Sequence, residues 1–264
     1  MKLKRFISFH RRLIMIILSI LIAISNVFLL QSYPDFSVIL LIFLDLAFII
    51  ITSWLLYNCF TSLFSKPIAE LNNKCDPYPL IEESEKHLNA HYSILDKFIL
   101  LVNYSAALKA SGQYQKALDI LLSIDIEADA MKKLQHLKAA YYYRLMELCE
   151  FLNKGAQADF AYSKFLELIP QIKNERFKKS LEIEIVLGNV LGAFRKGDYQ
   201  TVVETLESSV LNVFSSQITS SLTCAKAYLA LGETEKAKEK LEYIIENGNK
   251  LHCVTEAREM LSSL

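Results

Sequence analysis

The chain opens on two apolar stretches, LIMIILSILIAISNVFLL at residues 13–30 and FSVILLIFLDLAFIIITSWLLYNCF at residues 36–60. Only the five residues Gln-Ser-Tyr-Pro-Asp at 31–35 separate them. A helix needs about 20 apolar residues to cross the hydrocarbon core of a bilayer, and within lipid its backbone must satisfy its own hydrogen bonds. The sequence therefore predicts a two-helix transmembrane hairpin at residues 13–60, preceded by a basic N-terminal segment at residues 1–12.

The basic residues predict the orientation of this hairpin. The N-terminal segment carries five Lys or Arg residues, the connection between the runs carries none, and Lys66 and Lys74 follow the second run. Because basic residues that flank a span stay on the cytoplasmic side, we expect a multi-pass protein with both termini in the cytoplasm. A compact two-span protein of this size and topology is typical of a bacterial plasma membrane, and a eukaryotic endomembrane is the alternative. A secretory signal peptide is the alternative for the first run, but no small-x-small cleavage site follows it and a second run comes almost at once.

Asp45 lies near the middle of the second apolar run. A charged carboxylate at the centre of a bilayer costs about 2.5–3.5 kcal/mol on the insertion scale, so this side chain needs a polar partner. At a similar depth in the first run, Ser19 and Ser25 can donate hydrogen bonds, which predicts an intramembrane polar contact among the three residues. A contact with another membrane subunit is one alternative, and an ion site completed by further subunits is another.

The composition gives no sign of nucleic-acid binding or of catalysis. The formal net charge of the 264 residues is zero, so no global charge favours nucleic acid. The motifs GxxxxGK[ST], HExxH and GxSxG are absent from the sequence, and its five cysteines form no CxxC pair. We therefore expect no catalytic residue, no cofactor and no metal, with reduced thiols. Glu83, His87 and His91 are spaced one helical turn apart, and side chains at this spacing can share a metal ion. A metal site at these residues is therefore the alternative, although the same spacing is typical of a solvated helix face.

The chain after residue 65 has the pattern of an all-α protein. Apolar residues recur every three or four positions, and Gly and Pro are sparse. Residues 61–93 are predicted as a linker and a juxtamembrane helix that starts at Asp76-Pro77. Residues 94–264 alternate long and short amphipathic segments, which predicts helices at 94–110, 114–124, 128–153, 156–168, 174–195, 199–213, 217–230, 234–247 and 252–262.

Glycines punctuate these segments at near-regular intervals. Gly112, Gly155, Gly197 and Gly232 lie 43, 42 and 35 residues apart, and a period in this range is typical of helical repeats. Two units carry a matching pattern of large and small residues around their glycine. They comprise Leu101, Tyr104, Ser105, Leu108, Gly112, Tyr114, Ala117, Leu121 and Ile124 in the first, and Cys224, Ala225, Tyr228, Gly232, Ala237, Leu241 and Ile244 in the last.

On these residues, positions 98–251 resemble the tetratricopeptide repeat family, whose unit of about 34 residues is a pair of antiparallel helices. The two middle units match less closely, since Val202 replaces a small residue in the third and Gly155 is displaced by one position in the second. Small residues such as Ser105 and Ala237 allow two helices to approach closely, and neighbouring pairs must stack to bury their apolar faces. The resemblance implies an α-solenoid over residues 94–264.

The resemblance also implies a concave surface, formed by the first helix of each pair, that holds a protein or peptide ligand. The contact residues that it carries over are Asn103, Tyr143, Glu147, Phe194 and Lys226. Further positions on the same surface are Ala106, Met146, Glu150, Glu184, Leu187, Leu191, Leu222 and Leu229, of which Leu187, Leu191 and Leu222 also fit a core role.

Together these patterns predict a non-catalytic scaffold or adaptor that binds a protein or peptide partner at the cytoplasmic face of the membrane. Tethering to a surface raises the effective concentration of such a module for other membrane-bound partners. The alternative is an accessory subunit of a transport, secretion or envelope-assembly complex that docks through its transmembrane hairpin. In that case Asp45 contacts another subunit.

Overall fold

A computed structural model describes residues 11–32, 38–90 and 92–264. The predicted basic N-terminal segment up to residue 10, the connection at 33–37 and His91 lie outside the described residues. In the described part, the regular elements are helices, which confirms the prediction of an all-α chain. They are α1 (Arg11–Ser32), α2 (Val38–Lys74), α3 (Tyr78–Glu85), α4 (Ile94–Ala110), α5 (Tyr114–Leu122), α6 (Gln135–Phe151), α7 (Gly155–Leu168), α8 (Glu175–Ser180), α9 (Glu182–Arg195), α10 (Tyr199–Ser208), α11 (Phe214–Ala230), α12 (Thr234–Asn247) and α13 (His252–Ser262).

The chain divides into two compact units. The first contains the described residues up to Lys66 together with Glu85–Ser93, and the second contains Pro67–Ser84 and Ile94–Leu264. The boundary at Pro67 falls inside α2, which continues to Lys74 although the second apolar run ends at residue 60. The segment after the run contains no glycine, so the helix meets no strong stop signal other than Pro67 itself.

Helices α1 and α2 are long and apolar enough to cross a membrane. The mean hydropathy of an 18-residue window is 2.9 within Leu13–Ser32 and 2.6 within Val38–Lys74. Their apolar side chains point outward: the exposed fraction is 61% for Ile24 and 67% for Ile50. Exposed apolar surfaces of this extent mark contact with a membrane or with another protein.

In the second unit, consecutive helices pack in pairs. Helix α4 packs against α5, α6 against α7, α9 against α10 and α11 against α12, while α13 packs against the last pair. Small residues lie where the helices of a pair meet, and Ser105, Ala117, Ala225 and Ala237 are fully buried. The Ser105 hydroxyl donates a hydrogen bond of 2.9 Å to the backbone carbonyl of Ala117. A larger side chain at these contacts would hold the two helices apart.

The turn inside each pair has the same backbone geometry four times. The second residue after each first helix has a positive φ, namely +82° at Gly112, +55° at Asn153, +77° at Gly197 and +78° at Gly232. The next residue then donates its N–H to a carbonyl five residues earlier, as in the 2.9 Å bond from Gln113 to Leu108. Similar bonds of 2.8–3.0 Å join Lys154 to Cys149, Asp198 to Ala193 and Glu233 to Tyr228. These are Schellman turns, which favour glycine because L side chains are strained at positive φ.

One of the four turns differs from the spacing that the sequence suggests. In the second pair the left-handed residue is Asn153, and Gly155 is the first residue of α7. Asn is the non-glycine residue that most often tolerates this conformation. The displaced glycine in the sequence pattern is thus explained by an Asn that takes over its conformational role.

Candidate functional site

A cavity of about 280 Å³ lies within the second unit. The first helix of each pair contributes to its lining: α4, α6, α9 and α11. Helix α13 and the C-terminal end of α2 also line it, together with Tyr114 of α5, Leu206 of α10 and the segment at 211–213. Liquid water occupies about 30 Å³ per molecule, so the cavity holds about nine waters. Its size suits a short segment of chain rather than a folded domain.

Three of the five predicted contact residues meet at this cavity. Tyr143, Glu147 and Lys226 line it, whereas Asn103 and Phe194 are not among the described residues that do. The ring of Phe194 instead packs edge-on against Tyr199, with 5.4 Å between the ring centres. Of the further positions carried over, the lining contains Ala106, Glu184, Leu187, Leu191 and Leu222.

Glu147 is the centre of an ionic cluster on the cavity wall. Its two carboxylate oxygens accept hydrogen bonds from Nζ of Lys109 at 2.7 Å and from Nη1 of Arg144 at 2.6 Å. The Glu147 side chain is only 11% exposed. Burial alone would raise its pKa, but the two cations outweigh that effect and hold the pKa below its ordinary value. Since Lys109 belongs to α4 and Arg144 to α6, the cluster ties the first two helix pairs together.

Glu184 reaches the cavity from α9, and its carboxylate is in no ion pair in the described part of the chain. Its Oε2 atom is buried and has no hydrogen-bond partner among the described residues, and the same is true of Nε of Arg144. Burial raises the pKa of Glu184 above its ordinary value. A buried polar group without a partner costs about 1–3 kcal/mol. Two lining residues therefore each carry one buried polar atom that has no hydrogen-bond partner within the described chain, a donor in Arg144 and an acceptor in Glu184.

A second polar group connects the first helix pair to the last helix. Glu256 of α13 accepts a 2.8 Å hydrogen bond from Nζ of Lys226 and a 3.4 Å bond from the Tyr114 hydroxyl. The Tyr114 ring stacks on Phe151 with 4.8 Å between ring centres and meets His252 edge-on at 5.8 Å. Burial, followed by the charge of Glu256, raises the pKa of Tyr114, so this hydroxyl stays protonated. These contacts close one end of the cavity.

Two walls of the cavity have opposite chemistry. Helix α9 contributes apolar side chains, including Leu187 and Leu191, while α11 contributes a row of five hydroxyl groups: Ser215, Ser216, Thr219, Ser220 and Thr223. Only the Thr219 hydroxyl is bonded within the described chain, to the carbonyls of Ser215 and Ser216 at 3.1 and 3.2 Å. The sequence resemblance did not identify this row, although its Ser/Thr spacing places it on one helix face.

Asp45 in α2 also has a polar partner within the first unit. Its Oδ2 atom accepts a 2.6 Å hydrogen bond from Nδ2 of Asn26 in α1. Ser19 and Ser25, the predicted donors, make no such bond in the described residues. Asn26 follows Ser25 directly and has a longer side chain, and sequence reasoning missed it because only hydroxyl donors at that depth were considered. The predicted role of Asp45 in a membrane contact stays a prediction.

The geometry around His87 does not suggest metal binding. This side chain is buried, and one ring nitrogen pairs with the Tyr92 hydroxyl while Phe64 packs edge-on at 5.6 Å. No group of three ligating side chains occurs among the described residues. Cys75, Cys149, Cys224 and Cys253 are buried free thiols, and burial raises the pKa of Cys75 to about 11.

Comparisons with models of known families, with curated proteins and with solved structures found no match to this chain. The resemblance to the tetratricopeptide family therefore rests on the residues quoted above, and membership of that family stays a prediction.

Proposed function

We propose that this protein is a membrane-anchored scaffold of the tetratricopeptide type, which binds a peptide segment of a partner protein in its cavity. The observation that supports the proposal most is the origin of the cavity lining. The first helix of each pair contributes to one concave surface, as the resemblance implies. The surface combines apolar, hydroxyl and paired charged groups, which suits recognition of a chain segment.

The anchor in this proposal is the pair of helices α1 and α2. Their outward-facing apolar side chains would be solvated by lipid, and the basic residues around them support an orientation with both termini in the cytoplasm. The proposed scaffold is not an enzyme and needs no cofactor. Its function is to hold a cytoplasmic partner at the surface of the plasma membrane.

A photo-cross-linking amino acid introduced into the full-length protein in its native membranes tests the proposal. We expect a probe at Leu187, on the cavity wall, to give one defined protein adduct. A matched probe at Phe160, an exposed residue of α7, should not give that adduct. The adduct should weaken in the Tyr143→Ala, Lys226→Glu double variant, because both side chains line the cavity. Equal labelling from both probes, or none from Leu187, would contradict peptide capture in the cavity.

The second candidate is an accessory subunit of a membrane complex that docks through α1 and α2. The position of Asp45 in the apolar part of α2 supports it, because a carboxylate on an apolar helix is costly and such residues often mark contacts with other subunits. Asp45→Leu should leave a simple tether in the membrane and functional. If the protein migrates with a larger complex on a native gel, and Asp45→Leu abolishes this, the second candidate is favoured.

A further inference from the structure

We infer that the cavity accepts an uncharged, extended segment of peptide, whose main-chain amides bond to the hydroxyl row of α11 while its apolar side chains pack on α9. The inference rests on the proposed function and specifies the chemistry of the partner. Four features of the cavity lead to it: the pairing of its charges, the length of the hydroxyl row, the unmet donor and acceptor, and the apolar wall.

The charges of the cavity are already matched within the protein. Its lining contains three cations, Lys109, Arg144 and Lys226, and three carboxylates, Glu147, Glu184 and Glu256. Direct ion pairs of 2.6–2.8 Å engage all of them except Glu184. A charged ligand side chain would compete with these pairs and leave one of their members uncompensated in a buried place. A neutral segment avoids that penalty.

The hydroxyl row has the dimensions of a short extended peptide. Ser215 and Thr223 are eight positions apart on α11, which corresponds to about 12 Å along a helix axis. An extended chain rises about 3.3 Å per residue, so the row matches about four residues. The hydroxyls of Ser215, Ser216, Ser220 and Thr223 make no hydrogen bond within the described chain. A hydroxyl both donates and accepts, so it can bond to a peptide N–H or to a carbonyl.

The unmet polar atoms point independently to an amide. Nε of Arg144 is a donor and Oε2 of Glu184 is an acceptor, and both residues line the cavity. A peptide group carries one N–H and one carbonyl, so it supplies a partner for each after a small movement of either side chain. A carboxylate ligand would satisfy only the donor, and an ammonium would satisfy only the acceptor.

The apolar wall completes the description of the ligand. In an extended chain, successive side chains alternate between two faces while the main-chain groups point along the edges. Such a segment can place apolar side chains against Leu187 and Leu191 and direct its amides to α11 at the same time. A helical ligand could not, because its amides are bonded internally.

Three matched peptide libraries test the inference on the full-length protein in lipid nanodiscs. Each contains fluorescent eight-residue peptides built from Ala, Val, Leu, Ser and Gln, and the second and third carry a central Lys or a central Glu. We expect the uncharged library to bind at least about tenfold more tightly than either charged one, because a central Glu meets no unpaired cation and a central Lys must lose its hydration to reach Glu184, the one lining carboxylate outside these ion pairs. Fluorescence anisotropy gives the dissociation constants.

Two threonine variants provide the matched control. Thr223→Val removes an unbonded hydroxyl of the row with little change in shape, and we expect about fivefold weaker binding, the typical effect of one hydrogen bond. Thr219→Val makes the same replacement in the same row, but that hydroxyl is already bonded within α11, so binding should change less than about twofold. Circular dichroism melts verify that both variants fold, and Ser220→Ala replaces Thr223→Val if the latter does not.

The outcomes separate the inference from the proposed function. Tighter binding of a charged library would overturn the inference while leaving peptide capture intact. Equal effects of Thr223→Val and Thr219→Val on binding of the uncharged library, or no effect of either, would also overturn the inference. The hydroxyl row would then not be the surface that contacts the peptide. If no library binds and the Leu187 probe still gives its adduct, the inference is wrong and the proposed function stands. If that adduct is missing as well, both are wrong.

Discussion

The two units use similar apolar residues in opposite ways. Ile24 and Ile50 of the apolar helices are 61% and 67% exposed, whereas Leu108 and Leu121 of the first helix pair are fully buried. An apolar residue that recurs every three or four positions gives a helix one face to bury against a neighbour. The apolar runs of α1 and α2 carry apolar residues on most of their surface, and the majority of these side chains stay exposed. The second unit therefore buries its apolar helix faces within the chain, whereas the first leaves most of its apolar surface exposed.

The two units also differ in the partners of their carboxylates. Asp45 has one neutral donor, Asn26, while Glu147 is bonded by two cations. In the second unit, charge pairing holds helix pairs together. In the first, a single amide reduces the cost of a carboxylate that lies among apolar side chains. The following substitutions test this contrast.

The largest effect is expected from Glu147→Ala. Loss of this carboxylate leaves Lys109 and Arg144 as uncompensated charges in a largely buried place, which costs about 3 kcal/mol of unfolding free energy. Urea unfolding of the detergent-solubilised protein, followed by circular dichroism, measures it. The control is Glu233→Ala, which breaks an ion pair between Glu233 and Lys236 whose side chains are 40% and 60% exposed; it should leave the midpoint unchanged. Equal midpoints for the two variants would show that the cluster is not structural.

The same cluster predicts a dependence of stability on pH. The folded-state pKa of Glu147 is lowered, so its contribution is present above the unfolded pKa of about 4.3 and is lost as the pH falls through the folded pKa. The pKa of Glu184 is raised, so its ionised form destabilises the fold at neutral pH and protonation relieves this. Glu184→Gln should accordingly raise the melting temperature at pH 7, and Glu147→Gln should lower it. Shifts of the melting temperature with the same sign for both variants would contradict the different environments of Glu147 and Glu184.

Ala237→Leu tests the packing within the helix pairs. Ala237 is fully buried against the first helix of its pair, and a leucine there should overpack the contact and cost about 1–3 kcal/mol. Lys238→Leu is the control, because the next residue of the same helix is exposed. Thermal melts that match the parent for both variants would show that the helix-pair register is wrong.

A pair of glycine substitutions tests how the first helix pair meets α13. Gly112 and Gly197 have nearly the same positive φ, +82° and +77°, so an alanine is strained at both by about 1–2 kcal/mol. A Cβ at Gly112 would also lie 2.5 Å from the His252 ring, whereas nothing lies within 4 Å of one at Gly197. We expect Gly112→Ala to lower the melting temperature more than Gly197→Ala. Equal losses would mean that the His252 ring moves away freely.

Sequence periodicity alone was enough to locate most of the helices. The predicted spans 94–110, 234–247 and 252–262 coincide with α4, α12 and α13. The prediction of one helix at 174–195 was wrong, since α8 ends at Ser180 and α9 begins at Glu182. Asn174 caps α8 by accepting hydrogen bonds from the backbone N–H groups of Arg176 and Phe177. Periodicity does not report a one-residue break of this kind, because apolar spacing continues across it.

Less of the candidate site than of the fold could be predicted from the sequence. Tyr143, Glu147 and Lys226 follow from positions carried over from the repeat pattern, because the first helices of the pairs line the cavity. Phe194 follows the same pattern but turns into the core beside Tyr199. The pairing of Lys109 with Glu147 joins residues that are 38 positions apart. Such contacts depend on how the pairs stack, which no local pattern encodes.

The smallest expected effect concerns Asp45, the carboxylate of the first unit. Asn26→Ala removes the one donor that Asp45 has in the described part of the chain, and hydrogen bonds between membrane helices contribute about 0.6 kcal/mol on average. Ser25→Ala is the matched control, since the neighbouring hydroxyl does not bond to Asp45 in the described residues. The fraction of chains inserted with both helices in a microsome assay should fall slightly for Asn26→Ala and stay constant for Ser25→Ala. The effect should also vanish in an Asp45→Leu background, where the amide has no carboxylate to serve. If Asn26→Ala still lowers the inserted fraction in that background, Asn26 acts through another partner. The first unit would then contain, like the second, a polar network of more than two side chains.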